Sequence, residues 1–244
     1  TNAIFFNPKR LELIDAKTIA YENRVGDNAF TYCRFKDKIL NNNFSIINTK
    51  FTWGNTERRL AEATQLSQFA AFLPADEPIL VIGDFNIFSF LEHKNNFFFD
   101  GTFIESVLTE NNLSEAKNLS LFGHFGPLCS ITNSKKNLAP FVGPELTGFI
   151  LDHIFVNDQI DIVTHGIDTA RVNGEYPSDH FPVIADVFTN TDIAYWFPVN
   201  FQSLRWFPVH TQRDCVIICG CTDKRCIACI ADPFVVQCRK YPVR

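Results

Sequence analysis

Three short segments set acids, an amide and imidazoles at the ends of apolar runs: Gly83-Asp84-Phe85-Asn86, Leu151-Asp152-His153, and Tyr176-Pro177-Ser178-Asp179-His180-Phe181-Pro182-Val183. An Asp placed directly after four apolar residues sits where a strand ends. There the backbone direction is fixed and the side chain can be aimed into a cleft. Gly83 permits a sharp turn at that point, and Asn86 returns to the side of Asp84 two residues later. Each segment alone also has a plain structural reading: a turn capped by Asp for the first, a polar loop for the third. Asp152 is harder to dismiss, because a carboxylate inside an apolar strand needs a partner. Together the three segments describe acids and an imidazole converging on one cleft.

The elements that would carry them read as strands separated by turns, with few helices. Ala3–Phe6 and Leu11–Ile14, split by Asn7-Pro8, predict a hairpin. Phe30–Phe35 and Phe44–Asn48 predict two further strands between polar clusters. Leu60, Ala63, Leu66, Phe69, Ala70 and Leu73 recur at helical spacing, so 56–73 predicts a helix stopped by Pro74. Ile79–Ile82 predicts a short buried strand feeding Asp84, and Phe103–Asn111 a second helix. Residues 114–148 give no clear period. Phe149–Val156, Asp161–Ile167 and Val183–Phe188 predict the closing strands. More strands than helices implies an α/β sandwich, two mixed sheets face to face with helices outside.

These residues resemble the endonuclease/exonuclease/phosphatase superfamily, in its order and approximate spacing. The likeness covers Asn48-Thr49, the Arg58/Arg59 helix, Ile82–Asn86, Leu151–His153 and Tyr176–Asp186, and is nearest to the bacterial branch of small metal-dependent hydrolases. It implies a four-layer α/β sandwich and hydrolysis of phosphate esters, as nuclease, phosphodiesterase or phosphatase, with water attacking phosphorus in line. By this resemblance Asp84 orients or deprotonates the water, and Asn86 holds the water or a phosphate oxygen. His180 meets the scissile phosphate as general base or charge-stabilising donor, and Asp152 fixes its tautomer. Asp179 is the candidate ligand for a divalent ion. Hard carboxylates with an amide suit Mg²⁺ or Mn²⁺. His153, on the opposite strand face from Asp152, reads as structural. His93, His124, His165 and His210 have no motif around them, although His124 sits in a segment that corresponds to a substrate-side loop.

Two departures bear on activity. Where the family usually has His or Tyr after Asn-Thr, this chain has Lys50, which supplies positive charge but does not share protons near neutral pH as an imidazole does. The family also places a strand bearing Asn, then a Gln-Glu segment whose Glu ligates the metal, before the first predicted hairpin. Glu12 and Glu22 lie in the wrong context to replace that Glu. With Thr at position 1 and no Met in the chain, the expectation is an N-terminally truncated domain with an open sheet edge.

Length and composition limit the rest. The 244 residues suffice for one substantial domain with an appendage, and 46% hydrophobic content with 26 Phe excludes general disorder. The longest apolar runs, Pro78–Gly83 and Asp214–Cys221, fall well short of the roughly 20 residues that a membrane helix needs. A net charge of −5 leans away from non-specific DNA binding and towards a small phosphate ester, or nucleic acid or phospholipid held locally. Oligomeric state is left open, and so is the compartment, cytoplasmic or secreted.

Six of the 8 Cys fall after residue 214, and 191–244 carries 7 Lys+Arg against 4 Asp+Glu. These shifts place a boundary near 190, dividing a 1–190 domain from a 191–244 Cys-rich tail. Cys219, Cys221, Cys226 and Cys229 are candidates for a Zn²⁺ site, with disulfides as the alternative in an exported protein. The tail shows no strand or helix period, so a segment without selected structure is the third reading. Two further function classes accompany the hydrolase: an impaired protein keeping a phosphate-binding cleft, and a zinc-binding tail acting as an interaction module.

Overall fold

The computed structural model describes residues 2–22, 28–87, 100–131, 150–176, 178–189, 216–222 and 225–231. Two six-stranded mixed sheets pack face to face. The first contains β1 (Ala3–Phe5), β7 (His124–Phe125), β9 (Ile160–Ile167), β10 (Val183–Thr189), β11 (Val216–Thr222) and β12 (Arg225–Ala231), in the spatial order β1-β12-β11-β10-β9-β7. The second contains β2 (Leu11–Ala20), β3 (Ala29–Asp37), β4 (Asn43–Lys50), β5 (Ile79–Asp84), β6 (Ser114–Glu115) and β8 (Asp152–Val156), ordered β2-β3-β4-β5-β8-β6. This is the α/β sandwich expected from the strand-rich sequence.

Apolar runs without alternation become strands buried on both faces. Along β4 and β5, Ile46, Leu80 and Ile82 join Ile154, Val183 and Ala185 in the core between the sheets. Their neighbours Ile47 and Val81 point outward, against Ala63, Leu66 and Ala70 of α1 (Thr56–Ala71) and Ile104 and Leu108 of α2 (Asp100–Thr109). Asn55 caps α1, its side chain accepting from the Arg58 N–H at 2.9 Å. Of the predicted apolar stripe, Leu60 instead faces solvent. No helix among the described residues is long and apolar enough to cross a membrane.

The hairpin predicted over residues 3–14 does not form. β1 belongs to one sheet and β2 to the other. Asn7 accepts from the N–H groups of Arg10 and Leu11 through its carbonyl and from that of Lys9 through its side chain, at 2.9–3.1 Å. The turn is real, but it carries the chain between sheets.

Residues 216–222 and 225–231 form strands where the sequence shows no strand period. β11 pairs antiparallel with β10, and β12 pairs parallel with β1. The hairpin thus lies between β10 and β1, where an open edge was expected. The Val216-Ile217-Ile218 run has the β-branched character that a sheet neighbour favours. In register, Cys221 stands opposite Cys226 and Cys219 opposite Ala228, whereas Cys229 stands opposite Ile218. Cys33 and Cys129 are buried thiols.

Candidate active site

The register of the second sheet brings the predicted acids together. Lys50 and Asp84 are partners across the parallel pair β4–β5, and Asp84 and Asp152 across the antiparallel pair β5–β8. All three therefore lie in one row across the sheet. β4 and β5 approach so closely that a Cβ on Gly83, whose φ is +143°, would stand 1.9 Å from the Thr49 carbonyl oxygen. Only glycine fits there.

Asp84 is almost fully buried. One oxygen accepts from Lys50 Nζ at 2.7 Å, and the other from the Asn86 N–H at 3.0 Å. Burial, and then the neighbouring Asp152 charge, push its pKa up, while Lys50 and His180 counteract them. Asn86 adopts a left-handed conformation, φ +50°, and its side-chain amide donates to the Phe51 carbonyl at 2.7 Å. The turn, and not strand alternation, decides where Asn86 points.

Asp152 Oδ2 accepts from His180 Nδ1 at 2.7 Å, and Asp152 Oδ1 is buried with no hydrogen-bond partner among the described residues. Burial disfavours the charged imidazole, but the Asp152 carboxylate, with Asp84 and Asp179 behind it, outweighs burial and raises the His180 pKa to about 9. At neutral pH His180 is therefore an imidazolium, with Nδ1 committed to Asp152 and Nε2 left as a donor. Its ring is 13% exposed. Asp179, beside it, is half-buried and accepts from the Ser178 hydroxyl at 3.2 Å.

Several residues that hold the site have no sequence signal. Ser130 Oγ accepts from the N–H groups of Leu151 and Asp152 at 2.8 and 3.2 Å, and its carbonyl accepts from the Phe181 N–H at 2.7 Å. It thereby ties the Asp152 strand to the His180 segment. Glu62, buried on α1, accepts from the Thr52 N–H and hydroxyl at 2.7 and 2.6 Å. Arg59 donates to the Thr52 carbonyl at 3.1 Å, so the helix braces the loop after Lys50. His153 is fully buried on the other face of β8, its Nδ1 2.8 Å from Glu115 Oε1.

A divalent ion is the cofactor that the resemblance implies. Among the described residues, however, no three His, Cys, Asp or Glu side chains are grouped so that they could hold a metal. The charge already against Asp84 is the Lys50 ammonium. Among the described residues the donors are right in kind, carboxylate oxygen, with fewer than three converging.

No family model matches the sequence. No curated protein matches it either. Solved structures do. A functionally unknown conserved protein from Enterococcus faecalis V583 superposes with a TM-score of 0.59 at 22% identity, over 75% of this chain and 69% of that one. A mannosyl-6-phosphatase from Bacteroides thetaiotaomicron VPI-5482 gives 0.59 at 16% identity, over 74% and 68%. An endonuclease/exonuclease/phosphatase from Bacteroides vulgatus gives 0.58 at 21%, over 74% and 67%. The chain has the fold of endonuclease/exonuclease/phosphatase proteins.

Proposed function

We propose that the row Lys50–Asp84–Asp152, closed by His180, hydrolyses phosphate esters. The carrying observation is the His180–Asp152 hydrogen bond of 2.7 Å beside the Asp84–Lys50 pair. It puts a proton donor and a proton acceptor, each held by its own partner, in one cleft. Mannosyl-6-phosphatase activity on the same fold supports phosphate esters as the substrate class.

In this reading water attacks phosphorus in line, forming a P–O bond as the ester P–O bond breaks. Asp84 orients the water and takes its proton, for which a buried carboxylate with raised affinity is suited. Asn86, one residue beyond Phe85, holds the turn on which Asp84 stands. His180 donates Nε2–H towards the leaving oxygen and passes it the proton, while Asp152 holds Nδ1 and keeps the ring oriented. Lys50 contributes positive charge to the phosphoryl oxygens. Asp179 is the donor to test for Mg²⁺ or Mn²⁺, which would supply charge neutralisation to the phosphoryl group. Nucleic acid, phospholipid and small phosphate esters all remain within the class. The tail's zinc reading is a separate proposal, checked by metal content with and without residues 191–244.

A second reading, a phosphate-binding module without turnover, draws on the Lys50 ammonium that engages Asp84. Hydrolysis of an aryl phosphate diester and monoester, with and without Mg²⁺ or Mn²⁺, decides between them. Turnover that disappears in His180→Ala supports the hydrolase. Phosphate binding by folded protein without turnover supports the module.

A further inference from the structure

His153 reads from the sequence as a buried structural residue, but its two ring nitrogens meet two acceptors on two different elements. Nδ1 lies 2.8 Å from Glu115 Oε1 on β6, and Nε2 lies 3.3 Å from the Ile87 carbonyl. A neutral imidazole carries one N–H and leaves the other nitrogen bare, so it satisfies only one of these acceptors. The doubly protonated ring satisfies both. Ile87 directly follows Asn86, which adopts a left-handed φ of +50°. The ring also packs edge-on against Phe85 within the same turn, with centroids 5.9 Å apart.

We propose that His153 is a positioning residue, whose charged ring ties β6 to the Asp84–Ile87 turn and so fixes where Asp84 and Asn86 stand. Asp84 is held from the cleft side by Lys50 and the Asn86 N–H. The turn beyond it is held from the core side by His153. The catalytic consequence rests on the phosphate-ester reading; the clamp itself does not.

The surrounding charges favour the charged ring. Glu115 faces it from β6 and Glu105 from α2. Lys117 of α3 (Ala116–Leu119) acts on Glu115, and His165 of β9 is held neutral, its pKa pushed down to about 3 by burial and by His124. Burial opposes the His153 charge, yet Glu115 raises its pKa overall.

The test uses the full chain and two variants, Glu115→Gln and His153→Gln. Ring ¹⁵N spectra should show both His153 nitrogens of the wild type protonated to higher pH than in a free imidazole. In Glu115→Gln the ring should lose its second proton at lower pH than in the wild type, and the Ile87 carbonyl shift should change. In both variants kcat on the aryl phosphate should fall about 10–100-fold, as expected for a displaced catalytic group, with KM little changed. A bare nitrogen on wild-type His153 at a pH where a free imidazole is still charged overturns the clamp. So does a Glu115→Gln variant with unchanged Ile87 shift and kcat. If the wild type hydrolyses no phosphate ester, the hydrolase reading fails and the spectra alone decide the clamp. Should His153→Gln fail to fold, the isosteric Glu115→Gln carries the test.

Discussion

Strand β8 carries two His–carboxylate pairs back to back. Asp152 faces the cleft and receives His180 at 2.7 Å, while His153, the next residue, faces the helices and meets Glu115 at 2.8 Å. The chemistry of the two pairs is the same, and in each the carboxylate raises the imidazole pKa against the pull of burial. They differ in access and in what the second nitrogen meets. The His180 ring is 13% exposed and its Nε2 is uncommitted among the described residues, whereas the His153 ring is 0% exposed and both its nitrogens are engaged. A pair with a free donor at the cleft can pass a proton to a substrate. A closed pair can only hold parts in place.

If this contrast is right, His180→Ala should abolish turnover by about 10²–10⁴-fold, the contribution typical of a positioned acid or base. The protein should remain folded by circular dichroism, because opening the cleft admits water to Asp152. Similar losses of fold in His180→Ala and His153→Ala would erase the distinction.

Glu115→Ala should do the opposite, unfolding the protein more readily by about 3–5 kcal/mol in urea titration, as when a buried pair loses one partner. The pH window of this contribution follows from the shifts. Glu115 is buried, yet His153 holds its pKa below the usual value. Its part is therefore present above the unfolded carboxylate pKa and lost as pH falls through the depressed one. His153, raised, contributes fully below its unfolded pKa of about 6.5, and that part is lost as pH rises through the folded value.

A smaller effect separates charge from shape at the open pair. Asp152→Asn should lower the His180 pKa from about 9 towards the ordinary imidazole range, observable by NMR titration. In the wild type the His180 contribution to Tm should be complete below pH of about 6.5 and fade as pH rises through about 9, with no such fade in His180→Ala. The smallest expected change is for Lys50→Met. Asp84 loses a counter-charge, its pKa rises further, and the acid limb of kcat moves to higher pH, with turnover at pH 7.5 reduced by at most about tenfold. An unmoved acid limb would remove Asp84 from the proton-accepting role.

The sequence marked the cleft more clearly than the closed pair. Asp84, Asp152 and His180 stand beside turn residues at strand ends, so local pattern exposed them. Glu115, Ser130 and Glu62 carry no such signal. Ser130 reaches Leu151 across 21 positions and Glu115 reaches His153 across 38, and no local period encodes either contact. Strands β4, β5 and β8 were equally readable, because two-sided burial demands apolar runs, as in β5. The short β6 and β7 were not, since two residues cannot show alternation.

The sequence by itself picked out residues that could do chemistry, the runs that become β3, β4, β5, β8, β9, β10 and α1, and acids at strand ends. It did so because periodicity, turn residues and β-branching act over a few neighbouring positions. Only the tertiary structure decided that Asn7-Pro8 joins two sheets, that β11 and β12 enter the first sheet, and that the row Lys50–Asp84–Asp152 is in register. Pairing partners are chosen by burial and backbone hydrogen bonding between distant segments, and those contacts exist only once the chain has closed on itself.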